Sequence, residues 1–522
     1  MKTIFYNGDF ITLESNKADA ILIENGIIKK VGTIEEIFNY KDSNTEIHDL
    51  EGKTMMPAFM DAHSHFSGVA NNLLKVDLED CENFDEIKSK LITFKKENNI
   101  LDGEWIIACN YDHNKLQEKT HPKKEIIDSV LPNNPVLLQH KSGHSGVINS
   151  KGLEYLKIDE NTKEINGGMI EKIDGKLTGY LEENAFIELQ LKIPMPSIQN
   201  LIDAYRNAQE IYLKNGITTL QDGMIYKEMI PIYKKLIEDR ILKIDLVSYI
   251  KINEKEKFME SFKEYFDQYK DNLKIGGYKI FLDGSPQART AWMRTPYLDD
   301  TNYFGYGTMN ENQLEKAVKT AYEDNMQILA HCNGDKAAEQ YIDAIKSNKN
   351  NNDIRPVMIH AQLLGKDQIA DLKKTGIIPS FFINHIYHWG DTHIKNFGFD
   401  RAKEICPVGT ALKQGVIYTF HQDSPVISPN MFESIWCAVK RVTKNGVALD
   451  EKEKISVLDA IKGVTINVAY QYFEEDKKGS IKEGKNADLI IIDKNPLKVK
   501  IDEIRDIKVL ATFKDGKIVY KD

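Results

Sequence analysis

The chain has 522 residues, room for three or four units at about 150 residues per domain, or for fewer if one of them is an α/β barrel. Hydrophobic residues make up 41% and charged residues 28%, which excludes disordered, collagen-like and coiled-coil chains. With 69 Lys plus Arg against 79 Asp plus Glu the net charge is −10, so no basic face is expected and nucleic acid is not an expected partner.

No apolar run is long enough to cross a bilayer, and no membrane association is expected. The segment from Met1 to Glu14 is interrupted by Asn7, Gly8 and Asp9 and lacks the h-region of a signal peptide, so a cytoplasmic protein is expected. Five cysteines, Cys81, Cys109, Cys332, Cys406 and Cys437, are scattered and never spaced as CxxC. Neither a disulfide framework nor a structural thiolate zinc site is expected.

The first fifty residues alternate in short runs: Thr3–Tyr6, Phe10–Leu13, Ala20–Glu24 and Ile27–Val31. Asn25-Gly26 between the last two is a hairpin signal. The C-terminus repeats this style, with Leu489–Asp493, Ile507–Lys514 and Lys517–Tyr520 set off by Gly484 and Asp515-Gly516. Two β-rich ends bracketing a long middle predict one small β-sandwich built from residues 1–56 and 475–522.

Between them, residues 57–474 alternate apolar strands with amphipathic helices, for example Leu314–Asn325 before Gln327–Ala330 and Asp367–Thr375 before Ile377–Phe382. This rhythm predicts βαβ units and a parallel sheet. Several apolar runs finish in polar clusters: Asp61-Ala62-His63-Ser64-His65, Asp283-Gly284, His331-Cys332-Asn333, His360 and His421-Gln422-Asp423. Chemistry on many strand ends is how a (β/α)8 TIM barrel builds its site, whereas an open sheet concentrates it at one switch point. An α/β chain with such a barrel is therefore expected. Residues from about 67 to 200 break the rhythm and are read as an inserted subdomain roofing the strand ends. The tract Lys346–Asn352 reads as a solvated helix end or loop.

His63 and His65 are two apart at a strand end, so period two puts both imidazoles on one face, a ready chelate for a cation such as Zn²⁺. The alternative is a hydrogen-bonded core pair. Asp61 could orient a ligand from behind. Lys279 shares a face with Phe281 and Asp283. A lysine on an inward face must be paired, neutralised or chemically modified, either salt-bridged to Asp283 or another acid, or held deprotonated near a metal. His331 and His360 end successive strands one βα unit apart, and Asp423 ends a later one before Ser424-Pro425. Four histidines and one aspartate on strand ends of one barrel are hard to explain as packing.

These strings, Pro57–His65, Lys279 with Asp283-Gly284-Ser285, His331 with Gly334-Asp335, His360-Ala361-Gln362, Asp423-Ser424-Pro425 and the closing Lys478-Gly479-Ser480-Ile481 with Ala487-Asp488-Leu489, resemble the amidohydrolase superfamily. Within it the chain is most similar to the long branch that contains N-substituted formamide deformylase, with His144 near Asn149-Ser150 and the turn Gly167-Gly168 matching the inserted segment. The resemblance implies a metal-dependent hydrolase of a carbon–nitrogen bond other than a peptide bond. His63, His65 and Asp423 would bind one divalent metal, zinc first, with manganese or iron as alternates. His331 and His360 would hold a second, with Lys279 carboxylated by CO₂ as a bridging carbamate. Ile359 before His360 departs from the acid common there, and His421 before Asp423 from a small residue.

A metal-activated water would attack the amide of a small N-acyl or N-formyl compound, with Asp423 relaying the proton. Tyr111, His144, Arg289 and His385 are candidates for contacting the substrate. Arg289 would clamp a carboxylate or salt-bridge to an acid, and the aromatic run Phe381–Trp389 is also readable as ordinary packing. Cys332 is read as a small buried residue rather than a ligand. The partner is a small molecule, and a homo-oligomer is compatible with the sequence. The competing readings are a deaminase or cyclic-amide hydrolase on the same barrel, and a binding protein that has lost catalysis.

Overall fold

The alternation of apolar runs with amphipathic stretches is realised as parallel strands separated by helices. A computed structural model of the chain describes residues 2–15, 18–163, 165–194 and 196–522. It divides into two compact units, residues 1–67 with 208–522, and residues 68–207.

In the first unit eight strands form one parallel sheet in strict chain order: β1 (Phe59–Met60), β2 (Ile217–Ile225), β3 (Asp245–Lys251), β4 (Leu273–Phe281), β5 (Gln327–Cys332), β6 (Val357–His360), β7 (Ile378–Phe381) and β8 (Thr419–Phe420). Neighbouring strands are parallel throughout. Just beyond the two edge strands the backbone pairs again. Asp423 N–H donates to the His63 carbonyl at 3.1 Å and His65 N–H to the Ser424 carbonyl at 2.8 Å.

The helices between the strands follow from capping and periodicity. Asn310 caps the helix Glu311–Glu323 through a capping box with Gln313, and its buried residues Leu314, Ala317, Val318, Ala321 and Tyr322 make a single 3.6-period stripe. The helix Asp335–Asn348 runs into the Lys/Asn tract, which ends it at the surface. Met60, Val247, Tyr249, Leu329, Val357, Ile359 and Ile378, contributed by five strands, form one buried apolar cluster with Val468, Ala469 and Tyr472 from the helix Ile466–Gln471 and the residue after it. Ile359 thus fills the apolar interior where the resemblance led one to look for an acid.

At the starts of the strands the same C-terminal segment supplies charge. Glu474 accepts from Lys274 at 2.7 Å and pairs with Lys478 at 2.8 Å. Lys478 also binds Asp245, which Lys514 reaches at 2.7 Å, and Lys514 lies 4.0 Å from Asp488. All six side chains are buried, so three ammonium groups and three carboxylates balance one another out of water. Burial alone would raise Glu474 and Asp245, but the flanking ammonium groups outweigh it and hold both below the ordinary carboxylate range. The terminal motif residues Lys478 and Asp488 therefore serve the frame rather than the chemistry.

The terminal strands make two further sheets. One has the order Ile27–Gly32, Ala20–Glu24, Lys2–Tyr6, Thr45–Asp49. The other interleaves both ends of the chain, in the order Asp9–Phe10, Thr54–Pro57, Leu489–Ile492, Val509–Lys514, Lys517–Lys521. Phe5, Ile21, Ile23, Ile28, Met55, Leu489 and Phe513 from the two sheets share one core. The Asn25-Gly26 hairpin turns through positive φ at both residues, 53° and 84°, as a type I′ connection requires. Phe10 to Leu13 was expected as a strand, yet only Asp9–Phe10 pairs, because Leu13 takes a φ of 62° that breaks the extension.

The unit of residues 68–207 holds a six-stranded mixed sheet in the order Gly168–Ile173, Lys176–Glu183, Ser145–Ile148, Val136–His140, Ile106–Tyr111, Lys75–Asp77. Among the described residues no helix is long and apolar enough to cross a membrane.

The balanced cluster generates a test. Glu474→Gln leaves two buried lysines short of a partner and should destabilise the fold by about 3–5 kcal/mol. In the parent protein the contribution of Glu474 and Asp245 is complete above the ordinary carboxylate range, because their folded-state values are depressed, and is lost as pH falls through those lowered values. Urea denaturation from pH 7 downward should show a shallower acid-side loss in the variant. An unchanged midpoint at pH 7 would remove the cluster from the stability account.

Candidate metal centre

β1 is only two residues long, so a regular pleat does not carry His63 and His65 into place. Their backbone is held instead by neighbours on both sides: Asp61 N–H donates to the Thr219 carbonyl at 2.9 Å, Gly223 N–H to the Ser64 carbonyl at 2.7 Å, and the two bonds to residues 423 and 424 complete the frame. The two rings lie 5.0 Å apart, and both Nε2 atoms face Asp423 Oδ1, at 3.5 Å from His63 and 3.2 Å from His65. On its far side His63 Nδ1 lies 2.5 Å from Gln221 Oε1, which fixes the proton on Nδ1 and leaves the Nε2 lone pair facing the carboxylate. A Cβ on Gly223 would overlap the His63 ring, so only glycine admits the imidazole there.

Lys279, on β4, is 1% exposed. Its Nζ lies 3.3 Å from His63 Nε2 and over the Phe281 ring, and among the described residues it forms no ion pair. Burial lowers its pKa to about 7 against the opposing attraction of Asp423, so much of it is neutral amine at physiological pH. Asp283, the acid that sequence offered as its salt-bridge partner, is engaged elsewhere. Its carboxylate accepts from the backbone N–H groups of Asn333, Gly334 and Trp292 at 3.0, 2.7 and 3.1 Å and faces His331 Nδ1 at 3.2 Å. That bond turns His331 Nε2 to the opposite side of the ring.

Val357 and Ile359 alternate into the apolar cluster, so a regular pleat would turn His360 away. The left-handed backbone at His360 and Ala361, φ 71° and 45°, breaks the alternation at that residue. Asp423 is left-handed too, with φ 53°. Such non-glycine conformations cost about 1–3 kcal/mol each and gather at functional sites. His360 Nδ1 lies 3.2 Å from His421 Nε2, and His421 Nδ1 lies 2.8 Å from Ser380 Oγ. This relay turns His360 Nε2 toward Asp423 Oδ2, 4.0 Å away. Burial pushes His63 and His360 well below the ordinary imidazole value and His421 down to about 3, which keeps the rings neutral with lone pairs available. For Asp423, burial is overcome by His65, His421 and Lys279, which hold it below the ordinary carboxylate value.

Of the remaining sequence candidates, His385 is buried with Nδ1 unpartnered, its ring 6.0 Å from that of His360 and 4.3 Å from that of Phe382. Arg289 grips Asp299 with two prongs, Nη1 to Oδ2 at 2.9 Å and Nη2 to Oδ1 at 2.5 Å. Tyr111 and His144 belong to the 68–207 unit, Tyr111 in its core and His144 exposed beside Glu183 at 3.1 Å. Cys332 is fully buried. The sequence reading missed Gln221, Asp222 and Gly223. Asp222 takes hydrogen bonds from Ser67 and Tyr233, and burial raises it to about 6. The available signal was the apolar run Ile217–Leu220 ending in Gln-Asp-Gly, the same punctuation as at the other strand ends.

The donor set fits a divalent cation. The ligand atoms of His63, His360 and Asp423 lie within 4.8 Å of one another, and Asp423 Oδ1 is buried without a hydrogen bond. Two donors on one tetrahedral ion stand about 3.3 Å apart for metal–nitrogen bonds of about 2.0–2.1 Å, close to the separations of His65 and His63 from Oδ1. Neutral imidazoles and one carboxylate are ligands suited to zinc and its neighbours.

The Amidohydrolase family model matches residues 46–520. The chain is 27% identical to the putative amidohydrolase YtcJ of Bacillus subtilis (strain 168) over 536 aligned positions, covering all of both proteins. It is 26% identical to the N-substituted formamide deformylase of Arthrobacter pascens, covering 97% of this chain and 95% of that one. Among solved structures it is similar to an uncharacterized metal-dependent hydrolase from Pyrococcus furiosus, with a TM-score of 0.79, 25% identity, and coverage of 95% of this chain and 100% of that one. A buried cluster of metal-type donors on strand ends, within a chain matched nearly from end to end, belongs to a member of the amidohydrolase family, a metal-dependent hydrolase of carbon–nitrogen bonds other than peptide bonds.

Proposed function

We propose that this amidohydrolase deacylates or deformylates a small N-acyl or N-formyl compound at a centre held by His63, His65, Asp423, Lys279, His331 and His360. The observation that carries the reading is the arrangement of imidazole and amine nitrogens around one buried, unpartnered carboxylate oxygen, Asp423 Oδ1. The two backbone bonds across the sheet edges support reading the eight strands as a closed (β/α)8 barrel over residues 57–474, interrupted by an insertion at about 67–200. The shared apolar core of the terminal sheets supports a β-sandwich of residues 1–56 and 475–522.

His63, His65 and Asp423 would hold one divalent ion, and His331 and His360 a second. Such ions, zinc first among them, supply Lewis acidity and bring the pKa of water toward neutrality. Lys279 in its neutral form would add to CO₂, its nitrogen lone pair forming the N–C bond as one N–H proton passes to solvent, and the resulting carbamate would supply an anionic oxygen donor in place of an ammonium. Asp423 Oδ1 takes the proton of the attacking water and hands it to the departing nitrogen. Asp283 and His421 hold His331 and His360 in the tautomers that face the centre. His385, with Nδ1 unpartnered and its ring 6.0 Å from that of His360, would bond the substrate carbonyl or amide. The deformylase relative covers nearly the whole chain and supports the linear amide class.

Three measurements test this reading. Asp423→Asn should lower kcat on a formyl or acyl amide by at least about 10²–10⁴-fold with the circular dichroism unchanged, and near-parental turnover would end the assignment. Metal analysis with native mass spectrometry at neutral pH should find two ions lost when His331→Ala and His63→Ala are combined, and added CO₂ that disappears in Lys279→Ala. One lost ion with an unmodified lysine would favour a mononuclear deaminase instead. Gly223→Ala should push the His63 ring off its Gln221 bond and weaken metal binding by about 10–100-fold, the scale of a lost orienting partner. Unchanged affinity would show that the notch at Gly223 does not set the ligand.

A further inference from the structure

The unit of residues 68–207 carries a second gathering of metal-type donors that shares no residue with the centre above. Strands Ile106–Tyr111 and Val136–His140 are parallel neighbours whose register sets His140 opposite Tyr111. The two residues after Tyr111 are Asp112 and His113, so one strand end and the turn that leaves the other bring three donors together. Their ligand atoms lie within 4.8 Å of one another. His113 Nδ1 is 3.2 Å from His140 Nε2, and His140 Nε2 is 3.9 Å from Asp112 Oδ1. Two nitrogens bound to one tetrahedral zinc stand about 3.3 Å apart, so the imidazole pair already has the spacing of a chelate. A hydrogen bond between two imidazoles explains that pair alone. It does not call for a carboxylate on the same nitrogen.

We propose that Asp112, His113 and His140 form a binding site for a divalent transition-metal ion of the zinc class, separate in its ligands from the hydrolytic centre. The surroundings are built for it. His140 Nδ1 lies 2.9 Å from Ser142 Oγ and accepts from the Ser142 backbone N–H at 3.2 Å, so the turn after the strand holds the ring with its Nε2 edge toward His113 and Asp112. A third imidazole, His121, stacks on His113 with ring centroids 4.0 Å apart and is anchored through Nδ1 to the Tyr111 hydroxyl at 3.0 Å. It supplies a polarisable wall and fixes the His113 plane. Lys141 Nζ sits 3.3 Å from Asp112 Oδ2, and Oδ1, the oxygen facing His140, accepts one bond from the Asn114 backbone N–H at 3.0 Å, which keeps a second lone pair for the ion. The side chains of His140 and Asp112 are 11% and 20% exposed. That admits an ion from solvent, and three protein ligands leave a position for water. Zinc so bound would staple the ends of two parallel strands and the turn that carries Asp112 and His113.

The test uses the full-length protein stripped by chelator and titrated with Zn²⁺ alone, with ions per chain counted by elemental analysis and affinities read by calorimetry. His140→Ala should bind one ion fewer than the parent, and Asp112→Asn should bind that ion at least tenfold more weakly. A His63→Ala variant should keep it. Because His140→Ala could disturb the strand end, His113→Gln serves as a second variant at a half-buried position and should show the same loss. Equal stoichiometry and affinity in the parent, His140→Ala and His113→Gln would overturn the proposal. So would loss of the ion in His63→Ala with retention in both unit variants.

Discussion

Five basic groups, His63, His65, His331, His360 and Lys279, gather near Asp423, whose buried Oδ1 has no hydrogen bond of its own. Burial favours the neutral forms of Lys279, His63 and His360, which leaves nitrogen lone pairs available beside that carboxylate. A cation among these donors would satisfy the lone pairs and the carboxylate together. The frame meets the opposite requirement at the strand starts, where three lysines and three acids cancel within the fold and need nothing from outside. One set of buried charges is complete and the other is built to be completed. The difference separates the stabilising end of the sheet from the reactive one.

Much of this was legible along the chain. Polar residues closing apolar runs marked the strand ends, and the helices Glu311–Glu323 and Lys366–Thr375 sit within a few residues of where periodicity put them. His63, His65, Lys279, His331, His360 and Asp423 were conspicuous because metal-type side chains ended successive strands. Gln221 and Gly223 were not. A glutamine and a glycine on a strand carry no metal signature, and their effect, orienting and admitting the His63 ring, exists only once β2 lies beside β1. The choice of Asp283 for His331 over Lys279 was equally invisible. It depends on three backbone N–H groups arriving from two other segments, a tertiary fact that no spacing encodes. His421, read as a departure from pattern, turns out to stand behind His360 in a relay from Ser380.

The irregular backbone at the centre belongs to the same logic. Regular pleating would send consecutive residues to opposite faces, yet the interior needs Ile359 and the centre needs His360. Left-handed residues at positions 360 and 423 reconcile the two demands at a local cost that the surrounding packing absorbs. Strand-end side chains in this fold are thus aimed by small departures from regular structure, held by bonds from neighbouring strands.

The pairing of residues 63 and 65 with residues 423 and 424 has a further meaning for biosynthesis. Residues 63 and 65 leave the ribosome early, but the backbone partners that fix them are translated after most of the polypeptide. Until then the growing protein presents an unsealed sheet border, the kind of surface that invites association with other nascent chains. Pairing of that border waits on the late segment, so a prematurely terminated product would be open at its edge.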